Sequence, residues 1–278
     1  MIDIHTHVFP PEIVRQRENY FGEDPAFRWL YDSPQAKLNT AEELIQAMAD
    51  QGVEQSVIFG FPWRTLKLMR RHNDYIIEAQ HRFPRHLIGF ACVNALETGA
   101  AAEVERCLAA GCRGVGELAF YHEGLGGDIL SALAPIADLC MGYGVPLLLH
   151  ANEPVGHAYP GKSPMQLGDL YSLVKAFPEL TLILAHWGGG LFFYNLLKKE
   201  VPAALKNVYF DTAASPFLYR PEIYRLAAEI LGPEKILFGS DYPLLPPSRY
   251  LKEMQEGGLS PEHQEMILGK NALRLFGG

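Results

Sequence analysis

Cysteine is scarce in this chain and follows no pattern. Its four, Cys92, Cys107, Cys112 and Cys140, form no Cys-x-x-Cys pair, which excludes a cysteine zinc knuckle and a secreted disulfide framework. The expectation is four small buried hydrophobes. No run of 18 apolar residues occurs, and no basic leader precedes an apolar core. Neither a signal peptide nor a membrane partner is expected. Positive charge is in deficit, with 24 Lys and Arg against 32 Asp and Glu and a formal net charge of −8, so a nucleic-acid backbone is not the default partner. Gly-x-Gly-x-x-Gly is missing too, which removes the usual mark of a doubly wound dinucleotide fold. What remains is a cytoplasmic protein of 278 residues, 48% hydrophobic, with no boundary or linker dividing it.

What is present is alternation. Apolar runs of β type at 1–7, 53–61, 87–94, 112–118, 145–151, 181–187, 207–213 and 235–241 are separated by helical stretches near 40–51, 71–83, 100–110, 128–143, 165–177, 190–199, 221–231 and 260–275. Thr40 followed by Glu43 is a capping box for the first helix. Continuous apolar strands between helices indicate a parallel sheet covered on both faces. Eight such units in this length predict an α/β fold, a single-domain (β/α)₈ TIM barrel spanning 1–278. The longest irregular stretch, 8–39, carries Phe9, Tyr20, Phe21, Phe27, Trp29 and Tyr31. An insert that long is usually functional, and either a lid or an oligomer contact, the latter in a homodimer, is expected.

A barrel places its chemistry at the carboxyl ends of the strands. His5 and His7 close the first run, and residues two apart on a strand share a face, so Asp3, His5 and His7 should point inward together, with Ile2, Ile4 and Thr6 outward. Imidazoles on an interior face need a partner, and a divalent ion satisfies both. Glu117, His150, His186 and Asp241 close four later runs. His5, His7, Glu117, His150 and Asp241 are therefore the expected metal ligands, and Asp241 and His186 the expected catalytic pair. Asp211 ends the seventh run and reads as a support or a substrate contact. Trp63, Arg64, Tyr121, His122, His157, Trp187, Arg220 and Arg249 follow strands or lie in loops on the same face, where they could touch a small-molecule substrate. His72, His81, His86 and His263 lie in helices or at the far end and read as surface groups.

His5-Thr6-His7, the strand-five His150, His186-Trp187-Gly188-Gly189 and Gly239-Ser240-Asp241-Tyr242-Pro243 together resemble the amidohydrolase superfamily. The similar branch is the amidohydrolase 2 group, which holds aromatic-acid decarboxylases and metal-dependent lactone hydrolases. The resemblance implies that His5, His7, His150 and Asp241 hold a metal. It also implies that Asp241 accepts a proton from metal-bound water and that His186 orients the substrate. Many two-metal relatives carry a carboxylated lysine where this chain has Glu117. One or two ions, Zn²⁺ first, are expected, with a bound water whose pKa falls from ~16 toward ~7. Hydrolysis of an amide, lactone or ester is the leading expectation. Non-oxidative decarboxylation of a small carboxylic acid is its rival, and a catalytically silent binding barrel the third reading.

Overall fold

Short apolar runs become eight parallel strands in the computed structural model, which describes residues 1–277. They are β1 (Ile2–His7), β2 (Gln55–Phe59), β3 (Leu87–Gly89), β4 (Val115–Leu118), β5 (Leu147–Leu149), β6 (Leu182–Leu184), β7 (Val208–Asp211) and β8 (Ile236–Leu237). Each is shorter than its apolar run, because the ladder ends where the chain leaves for the mouth. β1–β3 and β4–β8 form two ladders in sequence order. The seams between them are closed by backbone hydrogen bonds. Ala91 N–H donates to Gly114 and Gly116 N–H to Ala91 at 3.0 and 2.8 Å on one side. On the other, Ile4 N–H donates to Phe238 and His7 N–H to Tyr242 at 2.8 and 2.9 Å. The sheet is thus a closed parallel barrel, as the alternation predicts.

Ile4, Val57, Phe59, Phe90, Cys92, Leu148, Ile183 and Leu237 pack as one apolar cluster drawn from strands all round the barrel, with Ala272 and Phe276 of the last helix against it. The second cluster lies outside the sheet and includes Phe9, Phe27, Phe61 and Trp63. All four cysteines are buried and free. No helix among the described residues is long and apolar enough to cross a membrane.

The face assignment on β1 needs correction. Its register against β2 shifts between Asp3 and Thr6, and such a bulge breaks the two-residue period. Ile2 and Ile4 therefore join the interior cluster, while Asp3 accepts from the Ser240 N–H at 3.0 Å and the Ser240 hydroxyl at 2.5 Å. The bulge separates Asp3 from the two histidines. β8 approaches β1 so closely that a Cβ on Gly239 would stand 2.7 Å from the Cβ of His5.

The expected helices differ mainly at their ends, and a further helix, Pro247–Glu256, forms where none was expected. Ala41–Gln51 has the predicted capping box and stops at Gly52, which is left-handed with φ 69°. The helix expected from 71 begins at Leu66, because Thr65 caps it. The stretch expected as helix 190–199 is a set of 3₁₀ turns over His186–Leu196, with Trp187 to Gly190 left-handed. Three successive glycines remove the helix propensity there. The insert is not irregular throughout: it holds the short helices Pro11–Arg15 and Pro25–Tyr31. Asp24 caps the second by accepting from Ala26 and Phe27 N–H at 2.9 and 3.0 Å, and its other oxygen accepts from Arg64 N–H at 2.6 Å. Phe9, Ile13 and Phe27 are buried, so the insert is anchored in the core.

Candidate active site

Glu117, at the end of β4, is the hub of a cluster at the carboxyl ends of the strands. Its carboxylate stands 3.0 Å from His150 Nδ1, 3.5 Å from His186 Nε2, 3.7 Å from His5 Nε2 and 3.8 Å from His7 Nε2. Asp241, just past β8, closes the other side at 3.6 Å from His5 Nε2 and 3.3 Å from His7 Nε2. Three overlapping sets bring ligand atoms within 4.8 Å of one another: His5, His7 and Glu117; His5, His186 and Asp241; Glu117, His150 and His186. His5, His7, Glu117, His150, His186 and Asp241, which the sequence placed at strand ends, converge.

Supports behind the cluster aim the rings. His5 Nδ1 meets Asp211 Oδ2 at 2.8 Å, and the other Asp211 oxygen accepts from the His186 and Ala213 N–H groups at 2.8 and 3.0 Å. His186 Nδ1 donates to the Ala213 carbonyl at 3.0 Å, which turns Nε2 toward Glu117. His150 Nε2 is held by the Gly161 carbonyl at 3.0 Å. Two side chains of the cluster sit on left-handed backbone, His186 at φ 54° and Asp241 at φ 58°. That conformation costs roughly 1 kcal/mol or more for a residue with a Cβ and is typical of functional sites.

The electrostatics suit a cation. Burial disfavours a charged His5, but Asp211, Glu117 and Asp241 outweigh it and raise the imidazole to about 10. Burial would likewise raise Glu117, yet His5 and His150 hold it well below the usual carboxylate range. Asp241 is depressed in the same way, against its burial, by the His7 hydrogen bond and the charges of His5 and His186. Burial lifts Asp3, behind the cluster, to about 7 against its hydrogen bonds from Ser240. His5 Nε2 is buried with no hydrogen-bond partner, a state that costs about 1–3 kcal/mol for a polar atom. An imidazole nitrogen of that kind, facing two carboxylates, is a fitting donor for a divalent ion, and imidazole with carboxylate suits Zn²⁺ or Mn²⁺ alike.

Above the cluster opens a cavity of about 800 Å³. His7, Glu117, His150, His186 and Asp241 form its floor, and Leu30, Tyr31, Lys37, Tyr121, Phe217 and Leu244 belong to its walls and rim. Several expected substrate contacts lie elsewhere. Trp63 is fully buried in the outer cluster, and its indole N–H donates to His72 Nδ1 at 2.9 Å. His72 is correspondingly no surface group: it is buried, with Nε2 on the Val8 carbonyl at 2.7 Å, and burial lowers its imidazole to about 4. Trp187 is buried and bonded to the Ser215 hydroxyl. Asp211 supports His5 and does not reach the cavity. Arg64, Arg220 and Arg249 are exposed outside the cavity, Arg249 paired with Glu253 at 3.1 Å. His122 is exposed beside Trp29. Tyr121 and His157 do line the cavity. Tyr31, Lys37, Glu153 and Phe217 were missed. The barrel rule, which puts loops after strands at the mouth, and the reading of 8–39 as a lid pointed toward their segments but not to the residues.

Fold and cluster together define an α/β barrel with an imidazole–carboxylate site at the carboxyl ends of its strands. The chain belongs to the amidohydrolase family, whose model matches residues 2–278. It is 25% identical over 317 residues to 6-methylsalicylic acid decarboxylase of Penicillium expansum, covering 99% of this chain and 95% of the relative. Its fold is similar to that of 5-carboxyvanillate decarboxylase from Sphingomonas paucimobilis, with TM-score 0.76, 17% identity and coverage of 99% and 98% of the two chains. It is also similar to a dihydroxybenzoic acid decarboxylase from Polaromonas sp. JS666, solved with bound manganese and the inhibitor 2-nitroresorcinol, with TM-score 0.71, 18% identity and coverage of 99% and 96%.

Proposed function

We propose that this chain is a metal-dependent, non-oxidative decarboxylase of small aromatic carboxylic acids. The observation that carries the reading is the end-to-end likeness to 6-methylsalicylic acid decarboxylase. The site is compatible with it: a cavity of about 800 Å³ suits a single substituted ring. Hydrolysis, the leading expectation from the sequence, gives way to its rival, since the relatives described above are named as decarboxylases.

His5, His7, Glu117, His150 and Asp241 are the proposed metal ligands, with His186 close enough to join them. A divalent cation there supplies fixed positive charge against the negative charge on the substrate's oxygens. The ion is Mn²⁺ or Zn²⁺. Tyr121 and Tyr31 flank the ring and exclude water from it. In the reaction the bond between ring carbon and carboxyl carbon breaks, its electron pair stays on the ring carbon, and one proton replaces the departing CO₂. The proton comes from solvent water, and Asp241, ionised in the resting site and held by His7 at 3.3 Å, is the side chain we place to take it up and pass it to the ring carbon. His186, fixed by Ala213, orients the acid. The insert 8–39 serves as a wall of the cavity through Leu30, Tyr31 and Lys37.

The test is a panel of hydroxybenzoic acids and aryl lactones incubated with protein loaded with Mn²⁺ or Zn²⁺. Release of CO₂ from an acid, with the decarboxylated phenol as the only organic product, is the expected result. Ring opening of a lactone with no CO₂ from any acid would return the site to hydrolysis.

A further inference from the structure

Among the Asp, Glu, Lys and Arg side chains that line the cavity, Lys37 alone is in no ion pair. Glu117 and Asp241 face histidines. Glu153 is met by Lys162 Nζ at 2.8 Å and by the Tyr159 hydroxyl at 2.8 Å. Lys37 also lines the cavity. The lysine side chains in ion pairs among the described residues are Lys162, Lys206, Lys252 and Lys270; Lys37 is in none. No arginine lines the cavity, so the arginine that a carboxylated ring would ordinarily be expected to meet is not there.

The backbone that carries Lys37 is tied down. Arg17 Nη1 donates to the Ala36 carbonyl at 2.6 Å and Nη2 to the Ser33 carbonyl at 3.1 Å. On the other flank, the Asn39 carbonyl accepts from Phe9 N–H at 2.8 Å. The ammonium stem therefore starts from a fixed point and holds a cation over an otherwise largely apolar rim that includes Leu30, Phe217 and Leu244. Lys37 is exposed while the floor is buried or half-buried, so the rim presents a positive charge to an anionic group separately from any cation the floor would hold.

We propose that Lys37 receives a second anionic substituent of the substrate, and that the preferred substrates are aromatic acids carrying two acidic groups, one at the floor and one at the rim. This rests on the reading of the site as an aromatic-acid site. A pair between an exposed lysine and a carboxylate is worth little in water and more inside a partly apolar cavity, so a preference of about 3- to 10-fold is expected.

The test uses unreactive probes: benzoate, isophthalate and terephthalate, titrated calorimetrically into the manganese-loaded full chain. At least one diacid should bind the wild type about 3- to 10-fold more tightly than benzoate. That ratio should collapse toward one in Lys37→Met, and Lys37→Arg should restore it. Raised salt should shrink the ratio in the wild type and not in Lys37→Met. Benzoate binding with a diacid ratio that Lys37→Met leaves unchanged overturns the role of Lys37 alone. Failure of the wild type to bind any of the three acids overturns the aromatic-acid reading and the proposal with it.

Discussion

The floor and the rim of the cavity are built by opposite rules. At the floor, Glu117, His150 and His186 are buried, each held by at least one hydrogen bond, and each stands at the end of a strand. At the rim, Val155 and Leu244 are 69 and 46% exposed and lie on loops, and Phe217, 66% exposed, lies on the short helix Ser215–Leu218 between β7 and β8. The difference follows from the barrel. Strand ends are fixed by the two ladders and the hydrogen bonds across their seams, so groups placed there are preorganised for chemistry. Loops vary without disturbing the sheet, so they are free to set which molecule enters. Substitutions at the floor should therefore act on turnover and metal, and substitutions at the rim on substrate affinity.

The severest test of that contrast is Asp241→Asn. The carboxamide neither carries the proton nor matches the charge at the floor. Turnover should fall by about 10²- to 10⁴-fold, the usual range for loss of a proton-transfer group, while the thermal unfolding midpoint stays close to that of the wild type. Near-normal CO₂ release would remove Asp241 from the chemistry.

His72 probes the layer that holds the floor from behind. Its imidazole sits at about 4 in the fold against ~6.5 in an unfolded chain. The sign follows directly: above 6.5 both states are neutral and the full contribution is present. As pH falls from 6.5 to 4 the unfolded chain takes up a proton that the fold refuses, and stability drops by up to about 3 kcal/mol. Urea unfolding of wild type and His72→Gln across that window should give a shallower pH slope for the variant. Parallel profiles would show that His72 is not kept neutral.

Asp211→Asn sharpens the distinction between ligand and support. Asp211 touches His5 Nδ1, and its other oxygen meets two backbone N–H groups. Losing its charge weakens the grip on the ring without removing a ligand atom. Metal affinity should fall by about 10- to 100-fold, read by competition with a chelator. An unchanged affinity would mean that His5 needs no orienting partner.

Most of the barrel and all of the floor were legible in the sequence. The floor residues each end an apolar run, and a run of that kind has only one rule for where its end goes. The errors have physical causes. The β1 bulge shifted Asp3 off the face of His5, and no two-residue pattern carries the mark of a bulge. Trp63 and Trp187 looked like cavity walls because they follow strands, yet their indole N–H groups found buried partners, His72 and Ser215, and the rings went into the core. Lys37 was illegible for the opposite reason. It lies in an insert with no periodicity, and its backbone is held at the mouth by the bonds from Arg17 to Ala36 and Ser33 and from Phe9 to Asn39, which no local pattern announces.

The smallest effect is expected at Phe217, and it is the one that tests the rim. The ring lines the cavity but is 66% exposed, so a ligand covers part of one face. Some 20–40 Å² of apolar surface at ~25 cal/mol per Å² is worth roughly 0.5–1 kcal/mol. Phe217→Ala should therefore raise KM by about 2- to 5-fold and leave kcat within a factor of about two, since the substituted atoms bind ground state and transition state alike. Initial rates over a range of acid concentrations separate the two constants. A fall in kcat with KM unchanged would mean that the ring shapes the transition state, and the division between a chemical floor and a selective rim would not hold at this position.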